Sequence, residues 1–130
     1  MAEHANVEVI RRAYQAFADG DLATLRGLWT EDIIFHVKGL ADLDGDYRGP
    51  DAVFAFMGRL AEETGGTFRL DVHAILANDE HTATMLTMHA ERNGASRSSD
   101  LVHLSHMREG KTAELWVAYI DPVNDVAFWR

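Results

Sequence analysis

Apolar residues recur at steps of three and four through the first half of the chain and at steps of two through the second. Val7, Ile10, Tyr14 and Phe17 share one helical face, which predicts a first helix. Asp19-Gly20 stops it, and Asp21 caps a second helix that turns Leu22, Leu25 and Trp29 inward. A strand from Ile33 to Val37 follows at once. Gly39 to Gly49 is rich in glycine and aspartate and reads as a loop. Pro50 then opens a third helix with Val53, Phe54, Met57 and Leu60 on its apolar face, ended by Gly65-Gly66.

From Thr67 the period is two. Phe68, Leu70, Val72, Ala74 and Leu76 alternate with Arg69, Asp71 and His73, as in a half-buried strand. Asn78-Asp79-Glu80, Asn93-Gly94 and Glu109-Gly110 read as turns, Asn-Gly most strongly because both positions favour positive φ. They delimit three more strands, from about His81 to Arg92, to near Arg108 and to about Ile120. The tail from Pro122 to Arg130 reads as a loop or short terminal turn, with Phe128 and Trp129 available to pack. This order predicts an α+β fold in which three N-terminal helices pack on a strongly curved antiparallel or mixed sheet. Helices ahead of such a sheet roof a pocket, giving a cone.

Composition narrows the partners. The chain has 130 residues, 47% hydrophobic and 25% charged, which fits one globular domain over residues 1–130. It has no cysteine, so disulfides, zinc ribbons and thiol nucleophiles are excluded. With 21 acidic against 12 basic side chains the net charge is -9, which repels phosphate backbones and acidic membrane surfaces. No apolar run approaches the ~20 residues of a membrane span. Met1-Ala2-Glu3-His4 lacks the basic flank and apolar core of a secretion signal, so a cytoplasmic location is expected. The later strands are apolar on both faces. Leu101, Met107, Leu115, Val117 and Tyr119 share one parity, and Val102, Leu104, Trp116 and Ile120 the other. Helices cover only one side, so the outer face calls for a second copy of the chain, a homodimer.

The segments AYQAFADGDLATLRGLWTEDIIFHVKG, GDYRGPDAVFAFMGRLAE, ANDEHT and EGKTAELWVAYID cover nearly the whole chain. In them the chain resembles the nuclear transport factor 2-like superfamily, most of all its SnoaL-like and ketosteroid isomerase-like branch. The resemblance implies a cone with a pocket between helices and concave sheet, commonly a dimer, and it does not fix the chemistry. Ketosteroid isomerases carry a carboxylate base at the end of the first strand, where this chain has Val37. Their phenolic oxyanion donor lies within one residue of Tyr14, and their second donor, a protonated carboxylic acid, aligns with His103. The limonene epoxide hydrolase branch uses an Asp-Arg-Asp relay. Arg92 or Arg97 can supply its arginine, but the carboxylates are not at matching positions.

Each chemical residue has a plain structural reading beside the chemical one. His103 shares the parity of Leu101, Ser105 and Met107, which places it on the inner face. It is either a core histidine satisfied by a carbonyl or a Tyr hydroxyl, or the donor and base of a ligand site. His36 alternates with Val37 and turns away from the pocket unless a bulge near Lys38-Gly39 reverses it. Asp121 either caps the turn before Pro122 or replaces the missing base, as acidic residues near this point do in SnoaL-like cyclases. Trp29, Phe35, Phe54, Met57, Leu86, Met88, Val117 and Tyr119, with Val37, are expected as core or pocket wall. The histidine spacings form no local metal chelate, and Ser98 and Ser99 lack a GxSxG elbow.

Three functions remain open. One is a cofactor-independent proton-transfer enzyme, an isomerase or cyclase, acting on a hydrophobic carbonyl compound through His103, Tyr14, and Asp121 or His36. Another is a non-catalytic binder of an apolar ligand. The last is a structural homodimer whose cone is filled by its own side chains.

Overall fold

The computed structural model describes residues 3–130. Met1 and Ala2, part of the stretch read for a secretion signal, lie outside the described residues. Helices α1 (Ala5–Asp19) and α2 (Leu22–Gly27) lead into β1 (Trp29–Val37), a 3-10 turn (Ala41–Leu43), β2 (Gly45–Arg48) and α3 (Pro50–Glu63). Strands β3 (Arg69–Ala77), β4 (His81–Arg92), β5 (Ala95–Arg108) and β6 (Lys111–Tyr119) follow, and α4 (Pro122–Trp129) ends the chain. The six strands form one sheet in the order β2-β1-β6-β5-β4-β3. Only β1 and β6 run parallel; the other neighbours are antiparallel. This mixed sheet is open, and the helices lie on one side of it with α1 against β3 and α3 against β1 and β2.

The punctuation behaves as the side chains dictate. Gly20 takes a left-handed conformation, with its N–H bonded to the carbonyls of Ala16 and Phe17, and ends α1. Asp21 accepts from the Thr24 N–H and starts α2. Asn93 and Gly94 both have positive φ at the β4–β5 hairpin. Gly39 has φ +91°, and a Cβ there would meet the Tyr119 ring at 3.1 Å. A side chain at this rim position would be strained and would crowd the aromatic wall.

Four expectations are corrected. The loop 39–49 holds the 3-10 turn and strand β2, whose main chain pairs with β1 from Ile34↔Arg48 to Val37↔Gly45. Trp29 belongs to β1 and not to the second helix, although it is buried. The tail is a helix, started by Asp121 accepting from the Asn124 N–H and by Pro122 in its first turn. Finally, β3 does not hold one parity. A bulge between Val72 and Ala74 shifts the register, so Ala74 and Leu76 pair with Met85 and Ala83 on the outer face while Ile75 turns inward.

The core lies between the helices and the inner sheet face, with Ile33, Val37, Val53, Leu86 and Met88 almost without exposed surface. Two arginines dock α4. Arg97 bonds through Nε to Asp125 at 2.9 Å and reaches Asp121 at 3.4 Å, and Arg92 donates to the carbonyls of Phe128 and Arg130 at 3.2 and 2.7 Å. Asp125 has no exposed surface, so its charge depends on Arg97. Arg97→Ala is expected to cost about 3 kcal/mol in urea unfolding, and the double change Arg97→Ala with Asp125→Ala distinctly less. A double variant as unstable as the single would show that the ion pair is not what the site depends on.

Candidate functional site

Regular alternation on β5 carries Leu101, His103 and Ser105 to the inner face. There His103 sits between Thr84 of β4 and Val117 of β6 in the ladder. Tyr14 comes down from α1, and its hydroxyl lies 2.6 Å from His103 Nδ1, with the two rings nearly parallel. Burial drives the His103 pKa down to about 4 from its ordinary 6.5, so the imidazole is neutral at pH 7. Burial also raises the Tyr14 pKa, opposed by the Thr84 hydroxyl, so the phenol stays protonated. Where the phenol O–H donates to Nδ1, the imidazole proton sits on Nε2. Among the described residues Nε2 has no protein partner, and the ring lines a cavity.

That cavity measures about 120 Å³. Its wall is apolar: Trp29, Phe35, Val37, Met57, Met88, Val117 and Tyr119 all contribute. Phe54 and Leu86 pack in the surrounding core, Phe54 against Trp29, and do not line the space. Tyr14, His103 and Tyr119 are the titratable residues in the lining, and no carboxylate joins them. Val37 occupies the wall with almost no exposed surface. The arrangement can therefore offer a hydrogen bond to a ligand oxygen in dry surroundings, and it brings no carboxylate base to the same space.

His36 and Asp121 lie elsewhere. With Val37 inward, His36 faces the outer side of the sheet, where its nitrogens meet Asp46 and Glu114 at 2.8 Å each and its ring stacks on Trp116. The Glu114 hydrogen bond, then the Asp46 bond, raises its pKa. Asp121 caps α4 with its carboxylate held by Asn124 and Arg97, and these bonds lower its pKa. Of the four residues considered for chemistry, the structure brings together only Tyr14 and His103.

Arg97 does stand between two carboxylates, Asp121 and Asp125, though neither lines the cavity. Asp125 escaped the sequence reading. The available signal was its position four residues after Asp121 and four before Trp129, one face of a helix in a tail read as a loop. A Ser98–His89–Asp71 chain, with contacts of 2.7 Å on both sides of the imidazole, lies on the outer face away from the cavity. Among the described residues no three metal-ligating side chains come together. None of the described helices is long and apolar enough to cross a membrane.

Known proteins share this fold. An uncharacterized protein of Mycobacterium tuberculosis is 31% identical over 130 residues, covering 99% of each chain. The structure of Bal32a, from a soil-derived mobile gene cassette, superposes with a TM-score of 0.91 at 31% identity and covers 97% of each chain. TerC, co-crystallised with polyporic acid, shares the fold with a TM-score of 0.84 at 22% identity, covering 97% of this chain and 98% of its own. IdmH of Streptomyces antibioticus, proposed to be a polyketide cyclase, shares it with a TM-score of 0.75 at 20% identity, covering 95% of this chain and 99% of its own. The family model of the SnoaL-like domain matches residues 10–115, and the chain belongs to that family.

Proposed function

We propose that this protein holds a compact hydrophobic carbonyl compound in its cavity and activates it through the carbonyl oxygen, as a cofactor-independent isomerase or cyclase does. The observation that carries this reading is the Tyr14–His103 pair, 2.6 Å apart at the edge of an apolar cavity. The Nε2–H donates to the ligand oxygen, and this bond strengthens as the oxygen gains negative charge on the way to an enolate. Tyr14 holds the ring in that tautomer and orientation. Drug-sized sites span ~300–1,000 Å³, whereas an apolar cavity of roughly 150 Å³ takes a benzene ring. A space of about 120 Å³ thus suits a single ring in preference to a steroid-like system. The fold shared with TerC and IdmH supports an oxygenated ring as the ligand class.

A second reading, a binding protein without turnover, is favoured by one observation: no carboxylate lines the cavity, and Val37 stands where ketosteroid isomerases keep their base. A histidine with a pKa of about 4 is a weak base at pH 7, so the pocket polarises better than it abstracts. His36 and Asp121 take no part in either reading. For a β,γ-unsaturated ketone or an aldol-type substrate, His103→Ala is expected to lower kcat/KM at least 100-fold and Tyr14→Phe about 10-fold, with the fold intact by circular dichroism. Binding without turnover of any such compound, lost in His103→Ala, would decide for the binder.

The pair also has a pH signature. The folded His103 pKa of about 4 lies below its ordinary 6.5. The folded state therefore keeps full stability above pH 6.5 and loses it as the pH falls toward 4, by up to about 1.4 kcal/mol per unit. Unfolding of wild type and His103→Gln at pH 7 and pH 4.5 checks this: the variant should lose less on acidification.

We further infer that the protein is a homodimer joined through the outer sheet face. Leu76, Met85, Leu104, Trp116 and Ile120 are all large, apolar and exposed there, which is unusual for a monomer surface. Sedimentation should give twice the 14.5 kDa chain mass at micromolar concentration, and Leu104→Glu with Trp116→Glu should give the monomer. A monomeric wild type would remove the interface.

A further inference from the structure

The chain has three tyrosines, and two of them spend their hydroxyl on the protein, Tyr14 on His103 and Tyr47 on the Leu43 carbonyl. Tyr119 lines the cavity and packs partly buried against the core, and among the described residues its hydroxyl has no hydrogen-bond partner. A tyrosine that enters an apolar interior ordinarily finds a bond for its O–H, because one left without forfeits its bonds to water. Nor is this hydroxyl sealed in. Among the described residues the fully enclosed, unpartnered side-chain atoms belong to Thr30, Thr82, Ser99, Asp125 and Trp129, so the Tyr119 oxygen keeps accessible surface.

The ladder sets its place relative to His103. Strands β5 and β6 are antiparallel, with Leu101 opposite Tyr119 and His103 opposite Val117. Tyr119 is therefore the diagonal neighbour of His103 on the inner face, and such neighbours lie roughly 7–8 Å apart. Its ring rests against the bare main chain of Gly39, where a Cβ would come to 3.1 Å. Burial first, then the charges of Asp125 and Asp44, raise the Tyr119 pKa, so the phenol keeps its proton and donates. Burial alone lowers that of His103, with no carboxylate acting on it. The two donors thus stand in different fields: negative charge bears on Tyr119 and not on His103.

Resting on the reading of the cavity as a carbonyl-compound site, we propose that Tyr119 is its second hydrogen-bond donor, which binds a neutral second oxygen of the ligand, a ketone or a hydroxyl, and rejects an anionic one. The ligand is then a single ring with two oxygen functions. The oxygen that gains negative charge is held at His103, because Asp44 and Asp125 repel it at the other end. Two donors one diagonal step apart orient a ring that apolar walls alone discriminate weakly.

The test compares cyclohexanone, cyclohexane-1,4-dione and 4-oxocyclohexanecarboxylate by calorimetry or ligand-observed NMR at pH 7, in wild type, His103→Ala, Tyr119→Phe and Asp44→Asn. The dione is expected to bind wild type at least about fivefold more tightly than cyclohexanone, more than the roughly twofold its symmetry supplies, and the carboxylate more weakly than either. In Tyr119→Phe, which keeps the ring against Gly39, the dione advantage should fall to that symmetry factor while cyclohexanone binds as in wild type. Asp44→Asn keeps an oxygen for the Leu40 N–H and should raise the affinity for the carboxylate several-fold relative to cyclohexanone. If cyclohexanone binds wild type and is lost in His103→Ala, while the dione gains nothing or keeps its gain in Tyr119→Phe, the role of Tyr119 falls and the carbonyl pocket stands. The wild-type ratio needs no variant, so it decides even if Tyr119→Phe fails to fold. A carboxylate that binds wild type as tightly as the dione overturns the preference for a neutral oxygen. If neither ketone binds, both readings fall together.

Discussion

An imidazole can stay inside an apolar fold only if its nitrogens are answered, and the Tyr14 hydroxyl answers one of them. This bond joins the first helix to the fifth strand, elements far apart in the chain. It ties α1 to the sheet and leaves the other nitrogen for whatever enters the cavity. Because burial and not a neighbouring charge holds the His103 pKa down, the site stays dry and uncharged through the neutral range. A carboxylate in the lining would undo that by drawing a proton onto the ring. The apolar residue at Val37 and the neutral imidazole are thus parts of one electrostatic arrangement.

The sheet divides the charge chemistry between its two sides. Inside, the titratable groups of the lining are all neutral at pH 7. Outside, His36 lies between Asp46 and Glu114, His89 bridges Ser98 and Asp71, and His73 meets Thr87, which donates to Asp100. The exposed apolar side chains lie among these polar groups, a mixture that suits an interface needing both burial and register. The bulge in β3 serves this division, since it transfers Leu76 from the inner to the outer side. Sidedness is set by backbone register as much as by residue type.

How much of this was readable in advance depends on the distance over which each signal acts. Helix ends, hairpin turns and strand parity are local, and Gly20, Asp21 and Asn93-Gly94 announced them. The inward placement of His103 followed from counting along one strand. Its meeting with Tyr14 could be suspected only through the family likeness, because no spacing rule links positions 14 and 103. Strand β2 was invisible because Gly45-Asp46-Tyr47-Arg48 has no hydrophobic alternation, and its pairing with β1 rests on main-chain partners and the Asp46–His36 contact. The last helix was missed because eight residues carry little periodicity. The role of Arg97 was missed because its partners lie in that helix. The slip at His73 reverses a pattern that looks unbroken on paper, and nothing in the composition of β3 signals it.

The parallel pairing of β1 with β6 has a consequence for how the molecule is made. On one edge His36 pairs with the nearby Asp46 of β2, but on the other its partner is Trp116 of β6. During synthesis β1 must therefore wait with one edge bare until β6 has emerged. Closure of the sheet across so long a loop comes late and slowly. During that wait the apolar rows of the nascent strands stand uncovered, which favours misassembly.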